Sequence, residues 1–282
     1  MYKILIVIIF IISLFIKVSS NFTLNYKDIE LTKYEKENFN FIYGQYPFYG
    51  NLKLINNEIN RLYTLSDYIY NNKYDDKISI KLSFFKNNGI LSLITLYNFI
   101  NYCNNRSIFI FIDSMLIKDR DYELDTYLKC NDLFDNIGLT IACYHHNVDK
   151  YVDTILNNNG HIRLVKGWYN DNTINKWNIV SNNYIRNSEK LIKSNKYHVL
   201  ATHDFKILNY LYNKYNKIDN IEIAFFYFYK NYVFEKLKEF PYEIKNKCFY
   251  IPLGRRYLSL FHTFRFLSIK REIQRRLNLK IK

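Results

Sequence analysis

From residue 78 onward, short apolar runs of strand character recur at intervals of roughly 25 to 35 residues, each followed by a longer stretch of helical character. The runs lie at 78–83, 108–113, 139–144, 162–166, 198–202, 221–226 and 248–252, and a weaker one at 39–43 precedes the first helical stretch. Strict alternation predicts a mostly parallel sheet, because a crossover helix returns each strand to the same direction. Eight such units in 282 residues suit a closed α/β structure of the (β/α)8 TIM type better than an open doubly wound sheet.

The segments between the runs support the same reading. Helices are expected over 52–70, over the continuous apolar stretch 90–102, over 148–156 with its i, i+3, i+4 spacing, and over 205–215 behind Asp204 as N-cap. No G-x-G-x-x-G or P-loop follows any strand, which disfavours a nucleotide held in the Rossmann or Walker manner.

The chain carries a formal charge of +14 with a pI of about 9.3. Abundant Asn, Lys, Ile, Tyr and Phe beside only 7 Gly and 3 Pro is the composition that A/T-rich coding sequence produces, so the basic balance does not call for nucleic acid as a partner. Tyr2 and Lys3 precede an apolar run over 4–16 closed by Lys17, Ser19 and Ser20. Residues 1–20 are therefore expected to be a signal peptide or membrane anchor, too short for a comfortable span, leaving 21–282 as one domain. Cys103, Cys130, Cys143 and Cys248 have no C-x-x-C partner and no His at ligand spacing, so zinc is not expected and buried free thiols are.

In a (β/α)8 barrel the site lies at the carboxyl ends of the strands. Lys81 lies near the end of its run, Asp113 ends the next, Arg163 and Lys166 bracket the fourth, Thr202 and His203 end the fifth, and Tyr250 lies late in the seventh. Each has a structural explanation when taken singly. Together they would put cations and one carboxylate on one rim, which suits an anionic small molecule and a phosphate-bearing cofactor. No Ser-His-Asp order, carboxylate pair or metal cluster offers a hydrolytic alternative.

The segment Arg163-Leu164-Val165-Lys166-Gly167-Trp168-Tyr169 resembles the R-L-V-K-G-A-Y signature of proline dehydrogenases, with Trp168 at the one differing position. Supporting segments follow in family order: 79–83 for S-V-K-L-S, Ile112-Asp113 for the I-D-A-E strand end, 138–144 for G-x-V-x-Q-A-Y, 201–204 for A-T-H-N, Glu222 for E-F-x-x-L, and 250–254 for Y-x-P-x-G. The resemblance implies a distorted (β/α)8 barrel with an N-terminal extension, binding FAD across the strand ends. It implies an activity too: L-proline oxidised to Δ1-pyrroline-5-carboxylate by hydride transfer from C5 to flavin N5, with a quinone as electron acceptor. In that reading Arg163, Lys166, Gly167, Tyr169, Thr202 and His203 face the cofactor. Lys81 would pair with the substrate carboxylate, Asp113 would hold the cations in place, Tyr250 would wall the pyrrolidine ring, and Arg265 would grip the carboxylate.

The pattern departs from the family in three places. Counting from Tyr250, one arginine of the family's pair stands at Arg265, but Phe266 and Ile269 replace its partner and the following glutamate. Ala142 replaces a glutamine. A lost bidentate contact to a carboxylate costs about 1.5 to 3 kcal/mol. A second reading is therefore a catalytically degenerate barrel kept as a binding or interaction module. The stretch 264–282 interleaves seven Lys and Arg with apolar residues, as a helix lying on an anionic membrane would, so membrane association is expected.

Overall fold

The computed structural model describes residues 23–24, 31–45, 52–87, 90–113, 119–166, 177–215 and 218–255. Two units emerge, one of Leu31–Pro252 and one of Met1–Glu30 with Leu253–Lys282. In the smaller unit a two-residue strand, Thr23–Leu24, pairs antiparallel with Gly254 and Arg255.

The larger unit is an eight-stranded parallel barrel. Its strands are β1 (Asn40–Gln45), β2 (Lys77–Ile80), β3 (Ile110–Ile112), β4 (Ile137–Ala142), β5 (His161–Val165), β6 (His198–Ala201), β7 (Ile221–Phe226) and β8 (Lys247–Arg255). They pair in sequence order, and β8 also pairs with β1, which closes the sheet. A short helix α1 (Lys33–Asn38) precedes β1. The helices between the strands are α2 (Leu52–Asn71), α3 (Leu93–Asn104), α4 (Arg120–Asn131), α5 (Val148–Asn157), α6 (Trp177–Lys193), α7 (Phe205–Tyr215) and α8 (Lys230–Glu239). All eight sequence-predicted strands are present, and the (β/α)8 TIM-type fold stands.

Strands of such a barrel are buried on both faces, and β2, β3 and β4 are buried along their whole length. Outward residues meet helix stripes such as Val148, Val152 and Ile155 of α5, spaced one turn apart. Inward residues Ile42, Phe111, Val199, Ala224 and Cys248, from five different strands, form one buried cluster that plugs the barrel. All four cysteines are free and buried, as expected from their apolar settings. Glycine is so scarce that the left-handed residues following α2, α3, α5 and α6 are Lys73, Ser107, Asn159 and Asn195.

Helix α3 begins three residues later than its apolar stretch suggested. Ser92 caps it by accepting from the Thr95 N–H at 3.3 Å, while Ile90–Leu91 pair with Lys86–Asn87 in a small hairpin. Strand β4 runs two residues earlier than expected, so Cys143 and Tyr144 lie just past its end. Among the described residues no helix is long and apolar enough to cross a membrane. The expected leader and the basic stretch 264–282 lie outside the described residues.

Candidate functional site

Side chains alternate along a strand, so a residue at a strand's carboxyl end that points inward faces the barrel mouth. Four of the sequence-predicted residues meet there. The Asp113 carboxylate, one residue past β3, accepts from Lys81 Nζ at 3.3 Å and from the Tyr250 hydroxyl at 3.0 Å, both on Oδ2. Its Oδ1 accepts from an Arg163 guanidinium nitrogen and, at 3.5 Å, from the Thr140 hydroxyl. The Arg163 guanidinium carbon also lies 4.7 Å from the centre of the Tyr250 ring. Residues from β2, β3, β4, β5 and β8 thus converge on one carboxylate.

Burial by itself would raise the Asp113 carboxyl, but Lys81⁺ and Arg163⁺ beside it, and the Tyr250 donor, hold it below the ordinary carboxylate range. The carboxylate stays ionised and balances one of two buried cations, which among the described residues leaves one positive charge in excess. Arg163 is 4% exposed, yet its Nε and Nη1 have no hydrogen-bond partner among the described residues. Buried donors of this kind normally find acceptors, so the mouth suits a ligand that brings negative charge and acceptor atoms.

Two residues of the site were not singled out by the sequence. Thr140 is the inward residue between Gly138 and Ala142, and its alternation on β4 was the available signal. Gly44, near the end of β1, lies under the Tyr250 ring: a Cβ there would sit 2.0 Å from the phenol oxygen, so no larger residue admits the tyrosine in this position. Tyr250 also stacks on Phe226, its ladder partner on β7, with ring centres 5.9 Å apart and planes 21° apart.

The remaining candidates form a second group at the same strand ends. Lys166 Nζ bonds Asp204 Oδ2 at 2.7 Å and Ser181 Oγ at 3.3 Å. Thr202 Oγ1 accepts from the Asp204 N–H, and Asp204 in turn accepts from the Ile207 N–H at 3.4 Å, capping α7. His203 Nε2 accepts from the Phe226 N–H at 3.0 Å, and burial depresses its pKa to about 4, so the ring is neutral and ties β6 to β7. Ala142 is fully buried at the end of β4. Gly167, Tyr169, Arg265, Phe266 and Ile269 lie outside the described residues.

A Ser–His contact occurs away from the mouth, between Ser194 Oγ and His198 Nε2 at 2.7 Å. His198 Nδ1 accepts from the Ile162 N–H, so Nε2 carries the proton and donates, while the serine hydroxyl donates to the Leu191 carbonyl. The imidazole therefore cannot act as the serine's base. Among the described residues there is also no group of His, Cys, Asp and Glu that could hold a metal ion.

Fold and site together define a (β/α)8 barrel with a cationic mouth and unspent guanidinium donors. The barrel shares its fold with solved structures of proline utilization A. A mutant from Bradyrhizobium japonicum superposes with a TM-score of 0.70 at 16% identity, over 83% of this chain and 28% of its own. The protein from Bdellovibrio bacteriovorus inactivated by N-propargylglycine gives 0.71 at 15% identity, over 83% and 30%. A structure of proline utilization A with proline bound in remote sites gives 0.67 at 17% identity, over 82% and 28%. This chain thus spans less than a third of the length of the structures it matches. Neither a family model nor a curated protein sequence matches it.

Proposed function

We propose that the barrel is a flavin-dependent oxidoreductase of the proline dehydrogenase type, taking L-proline to Δ1-pyrroline-5-carboxylate. One observation carries the reading: Lys81, Asp113, Arg163 and Tyr250 are scattered over 170 positions of sequence, yet they share one carboxylate at the barrel mouth and leave Arg163 Nε and Nη1 unpaired among the described residues. Bound there, FAD would supply the hydride acceptor that no amino-acid side chain provides.

Geometry supports the roles of four residues. Arg163 offers a buried, fixed cation to charge that develops on reduction. Lys81 presents a second cation to the substrate carboxylate, and Asp113 orients both without neutralising them together. Tyr250, seated over Gly44 and stacked on Phe226, provides an apolar wall against which a pyrrolidine ring is held. Lys166, Gly167, Tyr169, Thr202 and His203 are assigned to the cofactor by the sequence resemblance, and Arg265 to the substrate carboxylate. A quinone is the proposed electron acceptor, with the amino-terminal leader and the basic stretch 264–282 serving membrane association.

The buried methyl of Ala142, where a polar contact to the cofactor is expected, favours a second reading in which the barrel binds flavin and proline without turning over. An absorbance spectrum separates the two. The enzyme is yellow and bleaches when proline is added without oxygen, whereas the binding module is yellow and stays so. Colourless protein that binds neither FAD nor proline would overturn both.

A further inference from the structure

Strand β4 outruns β3 at the mouth. Their ladder ends at Ile112 against Leu139, while β4 continues beside β5 through Thr140, Ile141 and Ala142. Among the described residues, β4 has no ladder partner on the β3 side beyond Leu139, and there Thr140 meets Asp113. Arg120, the first residue of α4, occupies that position. Only 1% exposed, it is the largest fully buried side chain described. Its Nη1 donates to the Thr140 carbonyl at 3.0 Å, and its Nη2 donates to His145 Nε2 at 2.8 Å. Glu123, one turn along α4 and equally buried, balances its charge at 3.5 Å. His145 follows the end of β4, and burial together with the adjacent guanidinium depresses its pKa to about 3, so it remains a neutral acceptor. One guanidinium thus joins the start of α4, the last turn of the β4 ladder and the loop leading to α5.

We propose that Arg120 is a positioning residue for the redox site: by fixing the Thr140 peptide it sets the Thr140 hydroxyl and, beside it in the β4–β5 ladder, Arg163, so that both meet Asp113 Oδ1. Thr140 and Arg163 are register partners, and a displaced β4 end shifts both donors at once. The inference rests on the proposed function for its kinetic consequence, but its structural half does not.

Two variants test it. The pair Arg120→Gln with Glu123→Gln removes both buried charges together, and Arg120→Lys keeps the charge but not the two-pronged geometry. In protein shown to be folded by circular dichroism, the double variant is expected to slow proline-dependent flavin reduction on the order of 10²-fold, with FAD affinity changed less than about threefold. Arg120→Lys should recover part of the rate. A folded double variant that reduces flavin at the parent rate overturns the proposal, as does one that loses FAD affinity and rate in equal measure. If the parent itself binds no FAD, the proposed function fails, and a crystal structure of either variant decides the inference separately. Displacement of Thr140 and Arg163 from Asp113 supports it, and an unchanged cluster overturns it.

Discussion

The two ends of this barrel each bury a carboxylate with a lysine, and they differ in what the described residues leave for a ligand. At the amino end Glu222 of β7 accepts from Lys77 Nζ and the Asn40 amide on Oε1, both at 3.3 Å, and from the Tyr197 hydroxyl on Oε2 at 2.6 Å. The buried anion meets one buried cation, which also reaches the exposed Asp75 carboxylate at 3.8 Å, and both Glu222 oxygens are filled. At the carboxyl end Asp113 is equally well filled, but it serves two cations, and among the described residues one of them keeps two unpartnered nitrogens. Burial and ion pairing are common to both ends. The surplus of charge and donors is what separates a functional cluster from a structural tie, since a fully satisfied pair has nothing left to offer a ligand.

The sharpest way to break this comparison is to damage the amino end. Glu222→Ala leaves the buried Lys77 with only the exposed Asp75 carboxylate, 3.8 Å away, and should lower the free energy of unfolding by about 3 to 5 kcal/mol, read from urea denaturation. Glu222→Gln keeps acceptors for Asn40 and Tyr197 and should cost less. Stability unchanged in Glu222→Ala would mean that the tie contributes nothing. At the other end, Arg163→Met should slow proline-dependent flavin reduction by about 10²- to 10³-fold in stopped-flow absorbance, while stability moves less than in Glu222→Ala. The matching change Lys77→Met should leave the flavin kinetics of folded protein near those of the parent. Equal kinetic losses in both would erase the distinction between the ends.

A smaller effect is expected at Gly44. Gly44→Ala forces its methyl into the Tyr250 ring and should cost about 1 to 3 kcal/mol by thermal or urea unfolding. In the double variant with Tyr250→Ala the two costs should not add, because removing the ring removes the clash. Strict additivity would place Tyr250 elsewhere in solution.

The smallest effects concern pH, and their signs oppose each other. Asp113 is held below its ordinary pKa, so the stabilisation it gives when ionised is complete above the unfolded value of about 3.9 and is lost as pH falls through the folded one. Lys77 shows the reverse: burial works to lower it, Glu222 beside it lifts it above the ordinary lysine value, and the net shift is upward. Its stabilisation is complete below the unfolded value of about 10.4 and is lost only as pH rises through the folded one. The stability gap between parent and Asp113→Asn, measured by denaturation across pH, should stay flat at neutral pH and narrow below about pH 4. A gap that narrows near neutrality would contradict an ionised Asp113.

By itself the sequence determined the strands, their order and the polar residues that close them. Apolar runs, their spacing and Asp204 before 205–215 are local signals, because strand and helix respond to residues two to four positions apart. Lys81, Asp113, Arg163 and Tyr250 were legible for the same reason: each is a polar residue in or at the end of a recognisable apolar run. The tertiary structure alone decided which of these groups share a carboxylate, which nitrogens remain unspent, and that Gly44, Thr140 and Arg120 belong with them. Those facts depend on strand stagger and barrel closure, which bring Gly44 beneath Tyr250 and leave Thr140 to a helix-borne arginine. Closure is a property of all eight strands together, and no segment of the chain carries it alone.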